Sequence, residues 1–527
     1  MFWLNTGGRF MTWQTEINEL RKREDLASKM GGEENVAKHR NKGKLPVRER
    51  IQQLLDKDSF HEKGAIAGKA IYEDNELKEF TPANFLLGTG KINDRKVVVG
   101  ADDFTIRGGA ADGAIIDKQI YSEQMAHDLQ LPIVRLVDGT GGGGSVKHLD
   151  TEGHTYIPIN PAWDYVVKNM GRIPVVAACL GSVAGLGAAR VSASHFSVMV
   201  EGISQLFVAG PQIVNFGVGQ NLNKEELGGA QVHRSSGVID NVVKTETEAF
   251  EQIWKFLSYL PNNVWQLPPT VESKDDPGRK EDDLISAIPK NRRKPYKIRS
   301  IIEKIFDIDS IFEMGRYFGG GTVTGFARLD GHPIGFLAND PYVGGGGLTV
   351  ESSEKIERFV DLCETFHLPI VNLVDQPGLA IGLAAERQGT IRKGVRAISA
   401  IYQATVPMIE IILRRVFGVG GAGMINGQGL HLRYAWPSGD WGSLPVEGGI
   451  QVAFKRDLEN SDNPQQLLEE IAARMEGVRS PFRTAEAFGV EEIIDPRDTR
   501  LILCDWVGDA YELLPQHLGT SSHTMRP

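Results

Sequence analysis

The chain carries one pattern twice. Leu131-Pro132-Ile133-Val134-Arg135-Leu136-Val137-Asp138 recurs as Leu368-Pro369-Ile370-Val371-Asn372-Leu373-Val374-Asp375, an offset of 237 residues. Upstream, Ala101-Asp102-Asp103 matches Ala338-Asn339-Asp340 and Gly108-Gly109 matches Gly345-Gly346, both at the same offset. Downstream, Ile173-Pro174-Val175-Val176 leads into Gly181 to Gly187, and Val406-Pro407-Met408-Ile409 leads into Gly418 to Gly423, at an offset of 233. Five collinear matches at a nearly constant spacing mark a duplicated unit, so the 527 residues are expected to fold as two copies of one domain.

Each copy reads as α/β. Lys96 to Val99, Ile133 to Val137 and Pro174 to Ala178 are apolar runs of strand length bounded by Gly or Asp. Between the first two, Asp112 to Leu129 places Ile115, Ile116, Ile120, Met125 and Leu129 at helical spacing. Strand–helix–strand alternation predicts parallel pairing with right-handed crossovers. An arm over residues 1–56 is charged, with Val47, Ile51, Leu54 and Leu55 on one apolar face, and is expected to pack or to bridge subunits. The expected halves are residues 57–265 and 301–527, separated by a Pro-, Lys- and Asp-rich linker over 266–300.

Charge and cysteines exclude several functions. A net charge of −10 gives no positive field for nucleic acid or an anionic membrane. The one dense basic run, Lys290 to Lys294, reads as solvated linker. Three scattered cysteines with no Cys-x-x-Cys give neither a disulfide framework nor a zinc site. With no apolar leader and no membrane-length apolar run, the expectation is a soluble cytoplasmic protein.

Glycine is in excess, 60 of 527 or about 11% against roughly 7% in typical proteins. Both copies end an apolar strand in a glycine cluster, Gly181-Ser182-Val183-Ala184-Gly185-Leu186-Gly187 and Gly418-Val419-Gly420-Gly421-Ala422-Gly423. At a strand-to-helix turn such a cluster lets backbone N–H groups converge on a phosphate or an oxyanion, helped by the helix dipole. Gly418 to Gly423 also fits G-x-G-x-x-G, but it does not open a βαβ unit, and Asp440 follows no strand as a dinucleotide site requires. Side-chain catalysts are scarce: there is no Gly-x-Ser-x-Gly and no His-Glu-x-x-His. His148, Asp150, Glu152 and His154 read as solvated surface, and His233 as a satisfied structural histidine. No metal is expected, and chemistry by backbone oxyanion stabilisation is.

Further segments carry a specific resemblance. They include Arg48-Glu49-Arg50-Ile51, Glu226-Leu227-Gly228-Gly229-Ala230 with His233, and Leu257-Ser258-Tyr259-Leu260-Pro261. In the C-terminal half they include Thr324 to Gly331, Asp375-Gln376-Pro377-Gly378, Ile391-Arg392-Lys393-Gly394 and Tyr434-Ala435-Trp436-Pro437. Through these the chain resembles the carboxyltransferase (β) subunits of biotin-dependent acyl-CoA carboxylases, over about residues 20–510. The resemblance implies two tandem crotonase-like (ββα spiral) domains and two oxyanion holes, contributed by different subunits across a dimer interface. Gly185 and Leu186 would hold a thioester enolate, with Ala184, Gly108, Gly109, Gly139, Thr140 and Gly141 around the acyl-CoA. Val419 and Gly420 would hold the ureido oxygen of biotin, with Phe417, Gly418, Gly378 and Ala422 around it. In this family carboxybiotin gives up its carboxyl group and its own nitrogen takes the α-proton, or a vinylogous γ-proton, so no protein base is required.

The chain has no Met-Lys pair of the kind that is biotinylated. The resemblance therefore implies biotin on a partner carrier, ATP and magnesium used by a partner biotin carboxylase, and a homo-oligomer that is a trimer of dimers. The sequence departs from the family in the run Gly139 to Lys147, at Leu186 and Val419 where Gly or Ala is usual, at Leu379, and at Ala422, whose small side chain leaves room for a longer acyl group. Three alternatives stay open: the reverse, decarboxylating half-reaction; a crotonase-like hydratase or isomerase; and a non-catalytic scaffold.

Overall fold

The computed structural model describes residues 12–110, 113, 115–139, 149–150, 153–155, 157–425 and 432–526. The duplication is visible strand by strand. In the N-terminal half, β1 (His61–Lys63) is followed by an outlying hairpin of β2 (Gly68–Glu73) and β3 (Glu76–Pro82). Then come β4 (Phe85–Ile92), β5 (Arg95–Asp102), β6 (Ile133–Val137) and β7 (Val175–Cys179). A two-stranded parallel ribbon, β8 (Ser182–Ala184) with β10 (Gln205–Phe207), stands apart, while β9 (Phe196–Val200) and β11 (Asn241–Val243) complete a sheet of order β1-β4-β5-β6-β7-β9-β11.

The C-terminal sheet repeats this plan with β12 (Phe312–Met314), β13 (Thr322–Leu329), β14 (His332–Asn339), β15 (Ile370–Gln376) and β16 (Met408–Phe417). It continues into β17 (Arg433–Ala435) and β19 (Glu492–Ile493), with β18 (Asp440–Gly442) also on β16. In each half the first strands pair antiparallel and the rest parallel, as strand–helix–strand alternation requires.

Register confirms the repeat. Phe85 pairs with Asp102 and Val98 with Ile133; the same pairs 237 residues on are Thr322 with Asn339 and Gly335 with Ile370. Ile133 pairs with Val175 and Ile370 with Met408, which fixes the downstream offset at 233. Strands β6, β7, β9 and β15 are buried at every position, which explains their unbroken apolar runs. The covering helix begins at Ile116 rather than Asp112 and ends in left-handed Gln130; its counterpart Val350–Thr365 precedes left-handed His367.

The halves share a core. Phe196, Phe256 and Tyr259 pack against Phe312 and Phe326, with Phe196 and Phe312 centroids 5.3 Å apart. Arg358 crosses the junction to pair with Asp240 and donates to the Ser194 carbonyl at 3.2 Å. The linker is more ordered than its composition suggests. Leu284 and Tyr296 are buried, and although the side chains of Lys290 to Lys294 are mostly exposed, Arg414 grips the carbonyls of Arg292 and Lys294. Burial of arginine donors against main-chain acceptors accounts for order that Pro and Lys content alone does not predict.

Candidate active site

The first glycine cluster lies at the carboxyl end of β7. Gly185 takes φ 57°, ψ −124°, a conformation that favours glycine, and opens the helix Leu186–Ser192. Its own amide donates to the Phe207 carbonyl at 3.3 Å, which ties the cluster to the ribbon. The amides of Leu186 and Gly187 fall in the first helical turn, where no intrahelical acceptor exists.

Beneath them sits Asp138, fully buried at the end of β6. A Cβ on Gly181 would stand 1.7 Å from its Oδ1, so only glycine fits there. The carboxylate receives Lys44 Nζ at 2.9 and 3.1 Å and Arg50 Nη1 at 2.8 Å. Arg50 also holds Glu246 through Nε and Nη2 and donates to the Leu180 carbonyl at 3.0 Å. Both cations come from the N-terminal arm, whose helix Val47–Leu54 buries Arg50 together with Val47, Ile51 and Leu54. Burial works against the charge on Arg50, and the attraction of Asp138 and Glu246 outweighs it, so its pKa is raised. His39 Nε2 lies 3.7 Å from Asp138, yet burial lowers its pKa to about 4, so the ring is neutral near pH 7. Asp102 accepts from the Asp138 amide at 3.1 Å, and burial lifts its pKa to about 6.

The loop after β5 closes the other side. A Cβ on Gly109 would meet the Asp138 carbonyl at 2.6 Å, and one on Gly139 would meet the Gly109 carbonyl at 2.5 Å, so the two backbones are in contact. Gly109 and Gly139 thus meet at the end of β6, with Gly108 beside them, while Ala184, Gly185 and Leu186 lie on the β8 ribbon and the helix start that follows it. Thr140, Gly141, His148 and Glu152 lie outside the described residues. Of that segment, His154 is exposed and sits against the Thr155 carbonyl at 3.0 Å.

The second cluster repeats the geometry. Gly418 has φ 59°, matching Gly185 at the 233 offset, so Leu186 corresponds to Val419 and Gly187 to Gly420. The sequence-derived pairs Gly185–Leu186 and Val419–Gly420 thus differ by one position within the repeat. A Cβ on Gly420 would lie 3.1 Å from Gly378 Cα and Leu379 N, so the helix start packs closely against the Gly378 turn and only glycine fits there without a shift. Phe417, just before this helix start, is buried, while Val419 (62% exposed) and Ala422 within it face out. Gly378, at φ 113°, is pinned by the Gln376 side chain at 2.9 Å and by the Leu348 amide at 3.0 Å.

Asp375 is the buried counterpart of Asp138. It binds Arg414 at 2.9 and 3.1 Å and Arg415 at 2.6 and 3.0 Å, and Arg415 also donates to the Gly345 carbonyl. Burial opposes its ionisation, but the two arginines prevail and its pKa is lowered. The cations Lys44, Arg50, Arg414 and Arg415 were not singled out from sequence; the matched Asp138 and Asp375 were the available signal, since a buried carboxylate needs compensation. Asp440 pairs with Arg479 instead of serving a dinucleotide, and His233 is satisfied by the Leu206 carbonyl at 2.8 Å. Among the described residues no three His, Cys, Asp or Glu side chains form a metal-binding group, and no helix is long and apolar enough to cross a membrane.

The carboxyl transferase domain family matches residues 38–506. The propionyl-CoA carboxylase carboxyltransferase subunit of Haloferax mediterranei is 33% identical over 93% of this chain and 95% of its own length. The methylmalonyl-CoA decarboxylase α subunit of Veillonella parvula is 31% identical over 93% and 94%. The hexameric transcarboxylase 12S, solved with methylmalonyl-CoA bound, superposes with a TM-score of 0.86 at 29% identity over 99% of both chains.

Proposed function

The chain belongs to the carboxyl transferase family, and from that premise we propose how its two halves divide the work. It is an enzyme of two crotonase-like halves that transfers a carboxyl group to an acyl-CoA. The observation that carries the mechanism is the pair of glycine-led helix starts at Gly185 and Gly418, each over a buried, compensated aspartate.

In the N-terminal half, the first-turn amides at Leu186 and its neighbour receive the thioester oxygen of the acyl-CoA. As the α-proton leaves, negative charge grows on that oxygen, and preorganised amides at a positive helix end stabilise it without reorganising. Gly109 and Gly139 let the loop after β5 pack against the end of β6, and Gly108, Gly109, Gly139, Thr140 and Gly141 are proposed to line the acyl-CoA. Among the described residues the Asp138 ion cluster holds Gly181 and the strand end rigid beneath it. In the C-terminal half, the Gly418-led helix start, packed against the Gly378 turn, would offer first-turn amides to a ring with one carbonyl acceptor, as a biotin ureido group is. The Val419 and Gly420 amides would hold its oxygen, with Phe417, Gly418 and Ala422 as walls. Biotin, when bound there, supplies the carboxyl group and a ring nitrogen able to take the substrate proton.

Each cluster is walled by its own half, which supports a dimer that brings the first site of one subunit to the second site of another. A hexamer follows the transcarboxylase 12S precedent, and a trimer of such dimers would make one. The biotin would ride on a partner carrier, charged by a partner biotin carboxylase that uses ATP and magnesium, in the cytoplasm.

The test is the purified chain with its biotin-bearing partner, ATP, labelled bicarbonate and a panel of acyl-CoAs. Label entering an acyl-CoA is expected; none entering any member overturns the reading. Gly420→Pro removes one donor and should lower transfer about 10²–10³-fold while leaving acyl-CoA binding intact. Lost CoA binding would mean that the roles of the halves are exchanged.

A further inference from the structure

Under the helix Leu186–Ser192 lies a buried charge network that the other half lacks. Arg190, on that helix, is buried; its Nη1 lies 3.8 Å from Asp102 Oδ1, and its guanidinium stands 5.4 Å from the centre of the Phe85 ring. Beside it Arg135 pairs with Glu123 at 2.7 and 2.9 Å and donates to the Arg190 and Ala193 carbonyls at 2.9 and 2.6 Å. The repeat supplies the matching positions. At the 237 offset Asp102, Glu123 and Arg135 become Asn339, Val360 and Asn372; at the 233 offset Arg190 becomes Gly423. Lys118 and Lys355, also 237 apart, donate to the Gly64 and Gly315 carbonyls, which confirms the register of the two covering helices. Four buried charges in one half are four neutral residues in the other.

The strand ends do not need the charge. Asp102 accepts from the Asp138 amide at 3.1 Å, and neutral Asn339 accepts from the Asp375 amide at 3.0 Å. What the carboxylate adds is a partner for Arg190. That pair is a poor source of stability: burial lowers the pKa of Arg190 and raises that of Asp102, and the buried Nη1 makes no hydrogen bond among the described residues. Apolar replacements of such pairs are often neutral or stabilising, so keeping one asks for another role. The two site helices differ in how they are held. Gly418–Ala422 is fixed by contact: a Cβ on Gly420, Gly421 or Gly423 would meet the Gly378 backbone at 3.1 Å, the Val416 backbone at 2.7 Å or Ile398 at 2.5 Å. Leu186–Ser192 instead carries Arg190, one turn past Leu186 and roughly 6 Å along the axis. A helix of two turns does not hold itself in place, so its anchor matters.

We propose that Arg190 is a positioning residue of the first site: paired with Asp102, it holds the helix Leu186–Ser192 to the ends of β5 and β6 and so sets where the Leu186 and Gly187 amides stand. This rests on the reading of that helix start as the holder of the thioester oxygen.

The double variant Asp102→Asn with Arg190→Met removes both charges together and installs the amide that the other half already uses. In the assembled enzyme with its biotin-bearing partner, its Tm should be unchanged or higher. Its kcat should fall about tenfold or more while KM for acyl-CoA stays within about twofold, because misplaced oxyanion donors weaken the transition state and leave ground-state binding intact. Hydrogen exchange should quicken in Leu186–Ser192 and not in Gly418–Ala422. Arg190→Lys, which keeps a cation for Asp102, should recover part of kcat. A double variant with wild-type kcat overturns the proposal. So does a fall in kcat that follows a lower Tm, with exchange faster throughout the N-terminal half, the signature of a merely structural pair. A wild-type chain that carboxylates no acyl-CoA, with exchange still quickened at Leu186–Ser192 alone in the double variant, would break the reading of the reaction and leave the anchor standing.

Discussion

The two halves bury the same aspartate and neutralise it differently. Asp375 takes Arg414 and Arg415 from β16, the neighbouring strand of its own sheet. At the position matching Arg414, the N-terminal half has Gly181, and Asp138 draws Lys44 and Arg50 from the arm, 94 and 88 residues away. Gly181 leaves the space that the imported lysine fills: a Cβ there would stand 2.3 Å from Lys44 Nζ. A duplicated fold thus fixes the electrostatic demand but not its supplier. The consequence is that the arm is part of the first site's foundation, beyond the packing or bridging role its sequence suggests.

The largest test of that contrast is to remove one arginine from each half. Arg50 serves both Asp138 and Glu246, and Arg50→Met should destabilise the protein by about 3–5 kcal/mol in urea unfolding, or prevent folding. Arg415 is one-fifth exposed and leaves Arg414 in place, so Arg415→Met should do less. Equal losses would break the comparison.

Alanine at the glycines is the next test. Gly181→Ala must push Asp138 or Lys44 aside, an overpacking worth about 1–3 kcal/mol, and carboxyl transfer should fall with it. Gly420→Ala meets the Gly378 backbone at 3.1 Å and should be milder for stability while still slowing transfer. Thermal melts with initial rates on the two variants rank them.

The smallest effect is in pH. His39 is neutral in the folded protein, with a pKa near 4, but takes a proton in the unfolded chain below about 6.5. Its contribution to stability is therefore lost as pH falls from about 6.5 to 4. Asp102 runs the other way: its pKa is raised to about 6, so its ionisation weakens the fold as pH rises from 3.8. The histidine effect is read as the difference between wild type and His39→Gln, with wild type the steeper in acid. Hydrogen exchange in that range should open β6 and the Leu186–Ser192 helix before their C-terminal counterparts, since the ion pairs given for Asp375 involve only arginines.

Much of the site was legible because it repeats. Gly185 and Gly418 were marked by their clusters, and the structure gives them φ 57° and 59°. What was not legible is which amides are open. Phe207 accepts from the Gly185 amide out of a ribbon whose pairing the sequence does not announce. The basic run exposes most of its side chains, as the solvated reading has it, but the sequence does not show that Arg414 holds its backbone from 120 residues away.

The sequence by itself determined the duplication, the parallel strands and the two glycine-led turns. These rest on apolar period and backbone freedom, which neighbouring residues carry. Only the tertiary structure decided which cations stand under each aspartate and that the arm completes the first site. Charge compensation acts through space over a few ångströms and is indifferent to separation along the chain, so no local pattern records it.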